Sequence, residues 1–336
     1  NAEYMGKEYH IMSNREEAFC ANGNSKWVEM LSSSQVQGIH ATIQSNWDVV
    51  KKTACQTAAG RALWSHATHD PLAALLAGKT QLRTFHEKIQ KDITNNAREI
   101  SGVILAVRTL WFDSKLDEAL RSMGGHTQVV LLGAGMDTRV YRLSSLKETT
   151  VFEVDFPEVL QVKSDLLEYA MESEDEELRP QLKAKSVKYV ATDIREKEWF
   201  TKLQMAGFEA ERSTVWVLEG ILYYLTDAES MQVLTLIGET CGRIPTILLA
   251  DFLNKQSTSM CRSLYRFYCD WPDHLLPSLG FSHVKLSQLG DPDAHFGLMD
   301  DPTNIFNKLR TLPRTEEVCP SDGTPCCRLY LVRATT

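Results

Sequence analysis

Five short apolar runs, separated by helical segments from residue 128 onward, constrain this chain more than any other feature. They are Gln128–Leu132, Thr150–Val154, Val187–Val190, Thr214–Leu218 and Thr246–Ala250. Near-continuous β-rich runs of this length belong to strands covered on both faces, and their alternation with helices predicts a parallel sheet. Pro157 stands where a first helical residue would, and Thr226-Asp-Ala-Glu229 has the spacing of a capping box opening an apolar-periodic helix. Two later runs, Phe281–Leu286 and Arg328–Arg333, alternate apolar with polar and suit an antiparallel pair at a sheet edge. The expected fold is therefore α/β, with five parallel strands and a C-terminal antiparallel hairpin.

The region before this sheet reads differently. Residues 1–30 are polar and read as an arm, whereas Val36, Ile39, Ile43, Trp47 and Val50 recur at helical spacing. Asp70-Pro71 opens a further apolar helix that Gly78 ends. This predicts an N-terminal arm and helical lid over 1–121 and a core over 122–336. Within the core, an insertion at 287–327 is expected to cover the sheet's open end and to contribute to the lid.

The 336 residues carry 36 Lys and Arg against 44 Asp and Glu, a net charge of -8 that argues against a nucleic-acid footprint or an anionic membrane. No run approaches the ~18–20 apolar residues of a membrane span. The first residues have no signal-peptide core, and position 1 is not Met. Eight cysteines include no Cys-x-x-Cys, so a reducing, cytoplasmic setting is the plain expectation. His66-x-x-His69-Asp70 could be read as metal ligands but has no companion cluster, and the spacing of Cys319, Cys326 and Cys327 fits no standard site, so no metal is expected.

In an open parallel sheet, ligands bind beyond the carboxyl ends of the strands, where strand order reverses. Gly133-Ala-Gly135-Met-Asp137-Thr138 follows the first run, and Asp155 follows the second, twenty positions after Gly135. Asp193 comes shortly after the third run, Glu219 directly after the fourth and Asp251 directly after the fifth. A Gly-x-Gly turn admits a ligand close to the backbone, and an acid about 20 positions on can accept from a ribose diol. The third glycine of the dinucleotide fingerprint is replaced by Thr138, and Asp137 puts negative charge where a pyrophosphate would dock. A nucleoside with a cationic group suits the turn better, and S-adenosylmethionine is such a molecule. Asp155 would hold its ribose, Asp193 would accept from the adenine amino group, and Glu219 would face the ammonium. The same glycines could equally serve close strand–helix packing, and Asp137 or Asp251 could be caps.

Arg108-Thr-Leu-Trp-Phe-Asp113, Leu132-Gly-Ala-Gly-Met-Asp-Thr-Arg-Val-Tyr-Arg-Leu143 and Phe152-Glu-Val-Asp-Phe-Pro157 together resemble the leucine carboxyl methyltransferase family. The resemblance implies a Rossmann-like class I methyltransferase using S-adenosyl-L-methionine and releasing S-adenosyl-L-homocysteine. It also implies that Arg108 pairs with the cofactor carboxylate, that Gly133 and Gly135 form the cofactor loop, and that Asp155, Asp193 and Glu219 bind as above. Arg61 lies near a basic residue that reaches the same carboxylate. Asp-Phe-Pro and His69-Asp-Pro71 look like the branch that methylates a protein phosphatase at its C-terminal leucine; Arg108-Thr-x-Trp-Phe-Asp looks like the small-molecule branch.

Methyl transfer from a sulfonium is an in-line displacement that gains from alignment and exclusion of water. A carboxylate acceptor would want a donor at the mouth of the site, and Tyr223 and Tyr224, just after Glu219, are the candidates for that catalytic role. Leu264, Phe267, Tyr268 and Trp271, at i, i+3, i+4 and i+7, read as a helical stripe that is either core or an acceptor-pocket wall. The expected activity is O-methylation of a carboxylate or hydroxyl on a small molecule, with a peptide C-terminus as the other acceptor. A nicotinamide-dependent oxidoreductase and a non-catalytic cofactor-binding protein are the readings from other classes.

Overall fold

The computed structural model describes residues 25–241 and 244–336, so most of the expected N-terminal arm lies outside the described residues. Seven strands form one sheet: β1 (Gln128–Leu132), β2 (Thr150–Asp155), β3 (Ser186–Ala191), β4 (Thr214–Leu218), β5 (Thr246–Leu253), β6 (His283–Gln288) and β7 (Leu329–Thr335). Their order is β3-β2-β1-β4-β5-β7-β6, with β1 to β5 parallel and β7 antiparallel to both its neighbours. Strand order reverses between β1 and β4, which places the switch point beside Gly133 and Glu219. The expected hairpin is present with one difference: β7 is interior, and only β6 lies at the edge.

The uniform burial of QVVLL and TVWVL follows from two covered faces. Val129, Leu131, Val151, Val215 and Leu249 point to one face, against Trp111, Phe112 and Leu116 of the helix Val103–Met123. Val130, Phe152, Trp216 and Leu248 point to the other, against Trp199, Leu203 and residues of the helix Asp227–Cys241. Each side chain so buried contributes roughly 1.5–3 kcal/mol. β2 breaks its apolar run with Glu153, which is fully buried, and the equally buried Lys163 donates to it at 2.7 Å. Lys163 comes from the helix Pro157–Met171, which opens with Pro157 at its first turn as expected. The capping box also forms: Glu229 N–H donates to Thr226 Oγ1 at 3.2 Å, and Thr226 N–H donates to Glu229 Oε2 at 2.8 Å.

The N-terminal layer contains α1 (Ser25–Ser32), α2 (Ser34–Asn46), α3 (Val49–Leu63), α4 (Lys79–Thr94) and α5 (Val103–Met123), with shorter helical turns between. α3 packs against the turn after β1 so closely that a Cβ on Gly135 would lie 3.2 Å from Ala54 Cβ. The segment 287–327 does not behave as a lid. Leu289, Ala294, Met299, Phe306 and Leu309 join the buried cluster that also holds Trp111, Phe112 and Leu116 of α5, and Ile305 N–H donates to Glu99 at 2.6 Å. Among the described residues, no helix is long and apolar enough to cross a membrane.

Candidate active site

Two adjoining clefts open at the carboxyl ends of β1, β2 and β4, enclosing about 890 and 780 Å³ out to their open mouths. They share Val50, Gly133, Asp155, Phe156, Ile221 and Tyr224. The first continues over Arg61, Arg108, Asp137–Arg139, Arg142 and Glu219, and is strongly charged. The second continues over Thr192, Asp193, Ile194, Leu225 and Leu264, and is more apolar. No residue of 287–327 lines either cleft.

The glycine turn is shaped by β2. Gly133 and Ala134 N–H both donate to Val154 O, at 2.8 and 3.1 Å, and Gly133 sits at φ +72°. A Cβ there would meet Ile221 Cδ1 at 2.7 Å, so Gly133 lets the β1 and β4 turns touch. Gly133→Ala is accordingly expected to weaken S-adenosylhomocysteine binding roughly 5- to 150-fold by calorimetry, because strain of roughly 1–3 kcal/mol must be relieved by moving the turn or the Ile221 side chain. Unchanged affinity would show that the turns can part without disturbing the site.

Asp155 ends β2 with each carboxylate oxygen anchored: Oδ2 accepts from Gly135 N–H and Oδ1 from Phe156 N–H, both at 2.7 Å. Burial raises its pKa, and these two amides oppose the rise. A carboxylate has about four acceptor positions, so two remain for a ligand. Asp193 lines the second cleft, where it accepts from the guanidinium and backbone N–H of Arg195; burial alone would raise its pKa, but Arg195 brings it below the usual carboxylate range.

Four guanidinium groups line the first cleft, and their commitments differ. Arg139 donates Nε to Asp113 and Nη2 to Glu219, both at 2.7 Å, and its Nη1 pairs with Asp137. Arg142 donates Nε to Thr138 and both terminal nitrogens to Asp113. Arg61 donates Nε to Asp70 at 2.9 Å and Nη2 to Met136 O at 2.6 Å. Arg108 donates Nε to Glu219 at 3.1 Å and Nη1 to Tyr223 Oη at 2.9 Å. Among the described residues, Nη1 of Arg61 and Nη2 of Arg108 are left without a hydrogen bond, whereas Arg139 and Arg142 are spent on carboxylates. The first pair is the pair expected to meet a cofactor carboxylate.

Glu219 is thus gripped by Arg108 and Arg139, which hold its carboxyl below the usual range against the opposing effect of burial. Asp137 is not the negative obstacle that its sequence position implies. Although burial opposes ionisation, Arg139 neutralises Asp137 and holds its pKa at about 2, and the carboxylate also accepts from Arg139 N–H.

The two tyrosines separate. They lie on the short 3-10 turn Leu222–Tyr224, where successive side chains point in different directions. Tyr223 is 5% exposed, lines neither cleft and points its hydroxyl at Arg108, so the expectation that it donates at the mouth is corrected. Tyr224 stands where the clefts join, and burial pushes its phenol up to about 12. The helical stripe at 264–271 does not form. Arg266 and Phe267 N–H donate instead to Tyr223 O, at 2.7 and 3.4 Å, leaving Leu264 on the second cleft and Phe267 in the core.

These residues fit S-adenosylmethionine. Thr192 supplies an independent observation: its hydroxyl is buried, lines the second cleft and has no hydrogen-bond partner among the described residues. A buried hydroxyl without a partner costs free energy that a ligand would recover. With Asp155 at the junction, Glu219 and the two uncommitted guanidinium nitrogens at one end, and Thr192 and Asp193 at the other, a ribose, an amino acid and an adenine each have a matching surface.

Comparison with known proteins assigns the chain to a family. A protein of Mycobacteroides abscessus, provisionally named an S-adenosyl-L-methionine-dependent methyltransferase, is 32% identical over 238 residues, covering 63% of this chain and 73% of its own length. One of Mycolicibacterium smegmatis with a similar provisional name is 34% identical over 196 residues, and there the chain spans 60% of the relative. Among solved structures, a DUF574 family protein from Streptomyces avermitilis aligns at a TM-score of 0.45 and 12% identity, covering 80% of this chain and 96% of that one. The sequence profile of the leucine carboxyl methyltransferase family matches residues 54–238, the stretch that runs from α3 through the cofactor turn and Glu219 to the capped helix after them. The chain belongs to the leucine carboxyl methyltransferase family.

Proposed function

We propose that this chain, an S-adenosylmethionine-dependent methyltransferase, moves the methyl group to an oxygen of a small molecule, a carboxylate or a hydroxyl. The observation that favours a carboxylate over a hydroxyl is that every carboxylate among the described residues lining the two clefts is already bonded within the protein, Asp48 to Lys51 and Asp155 to the Gly135 and Phe156 amides among them. The described lining residues include no histidine. Asp137 and Glu219 are bonded to arginines, Asp193 to Arg195, and the Tyr224 phenol stays protonated at neutral pH. An acceptor that arrives ionised needs no base, and a carboxylate meets that condition at neutral pH.

The bound cofactor would supply an electrophilic methyl group on a sulfonium. The chain's own residues would do the rest by position. Asp155 fixes the ribose, Arg61 and Arg108 turn one uncommitted nitrogen each toward the carboxylate, and Glu219 faces the ammonium. Tyr224, at the junction of the clefts, is placed to donate a hydrogen bond to an anionic acceptor.

Calorimetric titration with S-adenosylhomocysteine, with NAD as control, tests the binding half of this reading. One-to-one binding of the first alone is expected. Arg61→Ala should weaken it roughly 10- to 100-fold, the worth of a hydrogen bond between charged groups. Binding of NAD alone would overturn the reading and turn Asp155 into a dinucleotide ligand.

A further inference from the structure

The strand end that the proposed chemistry leaves unused is that of β5, and it holds a buried carboxylate. Asp251 is fully buried, lines neither cleft and touches the site only through other residues. Its Oδ1 accepts from Gly220 N–H at 2.7 Å. Its Oδ2 has no hydrogen-bond partner and lies 3.7 Å from Arg108 Nη1, the nitrogen that also donates to Tyr223. Gly220 follows Glu219 and sits at φ +66°, and a Cβ on it would fall 3.0–3.2 Å from the Arg108 guanidinium. Arg108, Glu219, Gly220, Tyr223 and Asp251 therefore form one closed contact, with Arg108 held between two carboxylates.

We propose that Asp251 is a positioning residue for cofactor binding, which shares the charge of Arg108 so that Glu219 keeps enough negative charge to receive the cofactor ammonium. The inference rests on the S-adenosylmethionine reading above. Glu219 already has Arg139 at 2.7 Å and Arg108 at 3.1 Å. Arg139 divides its charge among Glu219, Asp113 and Asp137, whereas among the described residues Arg108 is ion-paired with Glu219 and Asp251; without Asp251, Glu219 alone would balance Arg108, and an incoming ammonium would compete with the full charge of that guanidinium. Asp251 restores the balance from behind, and through Gly220 N–H it also fixes the turn that carries Glu219.

The groups facing Asp251 are few. They are Arg108 from α5, Glu219, Tyr223 and Tyr224 from the segment after β4, and apolar Leu331 opposite it on β7. Burial raises Asp251 to about 6, with Arg108 and the Gly220 amide opposing the rise. Tyr223 and Tyr224 are shifted upward, no histidine is among the described residues lining the clefts, and Asp155, which burial also raises, lies outside this contact and is unchanged in Asp251→Asn. Asp251 is thus the group of this contact that changes charge between pH 5 and 7. Its ionised form is the one that balances Arg108, so affinity should rise with pH through about 6.

The test is calorimetric titration of the wild type and of Asp251→Asn with S-adenosylhomocysteine at pH 5, 6 and 7, with circular dichroism to confirm folding. The amide keeps an acceptor for Gly220 N–H but carries no charge. The wild type should bind roughly tenfold more tightly at pH 7 than at pH 5, and the variant should bind weakly and nearly independently of pH. A folded variant that matches the wild type in affinity and pH dependence overturns the assignment. So does a wild type whose affinity is flat from pH 5 to 7, a result that needs no variant. Failure of the wild type to bind at any pH would instead remove the cofactor reading, and this inference with it.

Discussion

Asp155→Ala is expected to weaken S-adenosylhomocysteine binding by at least a hundredfold while leaving the sheet folded. Two hydrogen bonds from a ribose diol to a carboxylate are worth roughly 1.5–3 kcal/mol each, which together correspond to about 10² to 10⁴ in affinity. The same change releases Gly135 and Phe156 N–H, each held at 2.7 Å, so the glycine turn loses its anchor as well as its ligand contact. The measurement is a calorimetric titration with far-ultraviolet circular dichroism as the folding control. Asp155→Asn separates the two losses, because its side-chain oxygen still accepts from one amide. Wild-type affinity in a folded Asp155→Ala protein would mean that the ribose is held elsewhere.

The largest effect on stability is expected at Arg139. Its side chain is 3% exposed and reaches Asp113, Asp137 and Glu219 together. Arg139→Met keeps most of the volume and removes the charge. Asp113 still has Arg142 and Glu219 still has Arg108, but Asp137 loses its side-chain partner. Removing one member of a buried ion network costs about 3–5 kcal/mol, which a urea titration reads as a lower midpoint. The pH dependence has a definite sign. In the wild type, Arg139 holds Asp137 at about 2, so the stability it confers is present above the ordinary carboxylate pKa and is lost as pH falls toward 2. In the variant, the uncompensated carboxylate takes up a proton at higher pH, so the deficit should be largest near neutrality and shrink below pH 5. A deficit independent of pH would show that Arg139 acts by packing alone.

The contrast between Asp155 and Arg139 shows how far a sequence can be read. Asp155 and Glu219 are visible because strands in a parallel sheet are apolar runs, and whatever follows such a run stands at the ligand edge. The parallel order of β1 to β5 is visible for the same reason. Arg139 and Arg142 lie in plain view after the glycine turn, yet nothing in their spacing says that both are consumed by Asp113, which is 26 positions before Arg139. Which guanidinium keeps a nitrogen for the ligand depends on partners brought together by folding. Tyr223 and Tyr224 are adjacent in sequence, and only the 3-10 turn turns one inward and leaves the other at the cleft. The spacing of Leu264, Phe267, Tyr268 and Trp271 is helical on paper. It fails because the Tyr223 carbonyl offers the Arg266 and Phe267 amides a partner from a distant segment. The segment 287–327 is open to a lid role by its length, but its apolar residues join the buried core cluster instead.

β7 is bonded on both sides, to β5 and to β6, although it follows both in the chain. β6 has no other neighbour in the sheet. During synthesis from the N-terminus, β5 and β6 therefore emerge well before the strand that joins them, and each waits with an unpaired edge. For about 40 residues of translation, at roughly 5–20 residues per second, two sticky edges are exposed on the nascent chain. The segment 287–327, whose apolar residues join the buried core cluster, is made within that interval. Completion of the sheet is thus a late event in folding, and a ribosome stalled before residue 329 would hold a chain that can form β1 to β5 but not retain β6.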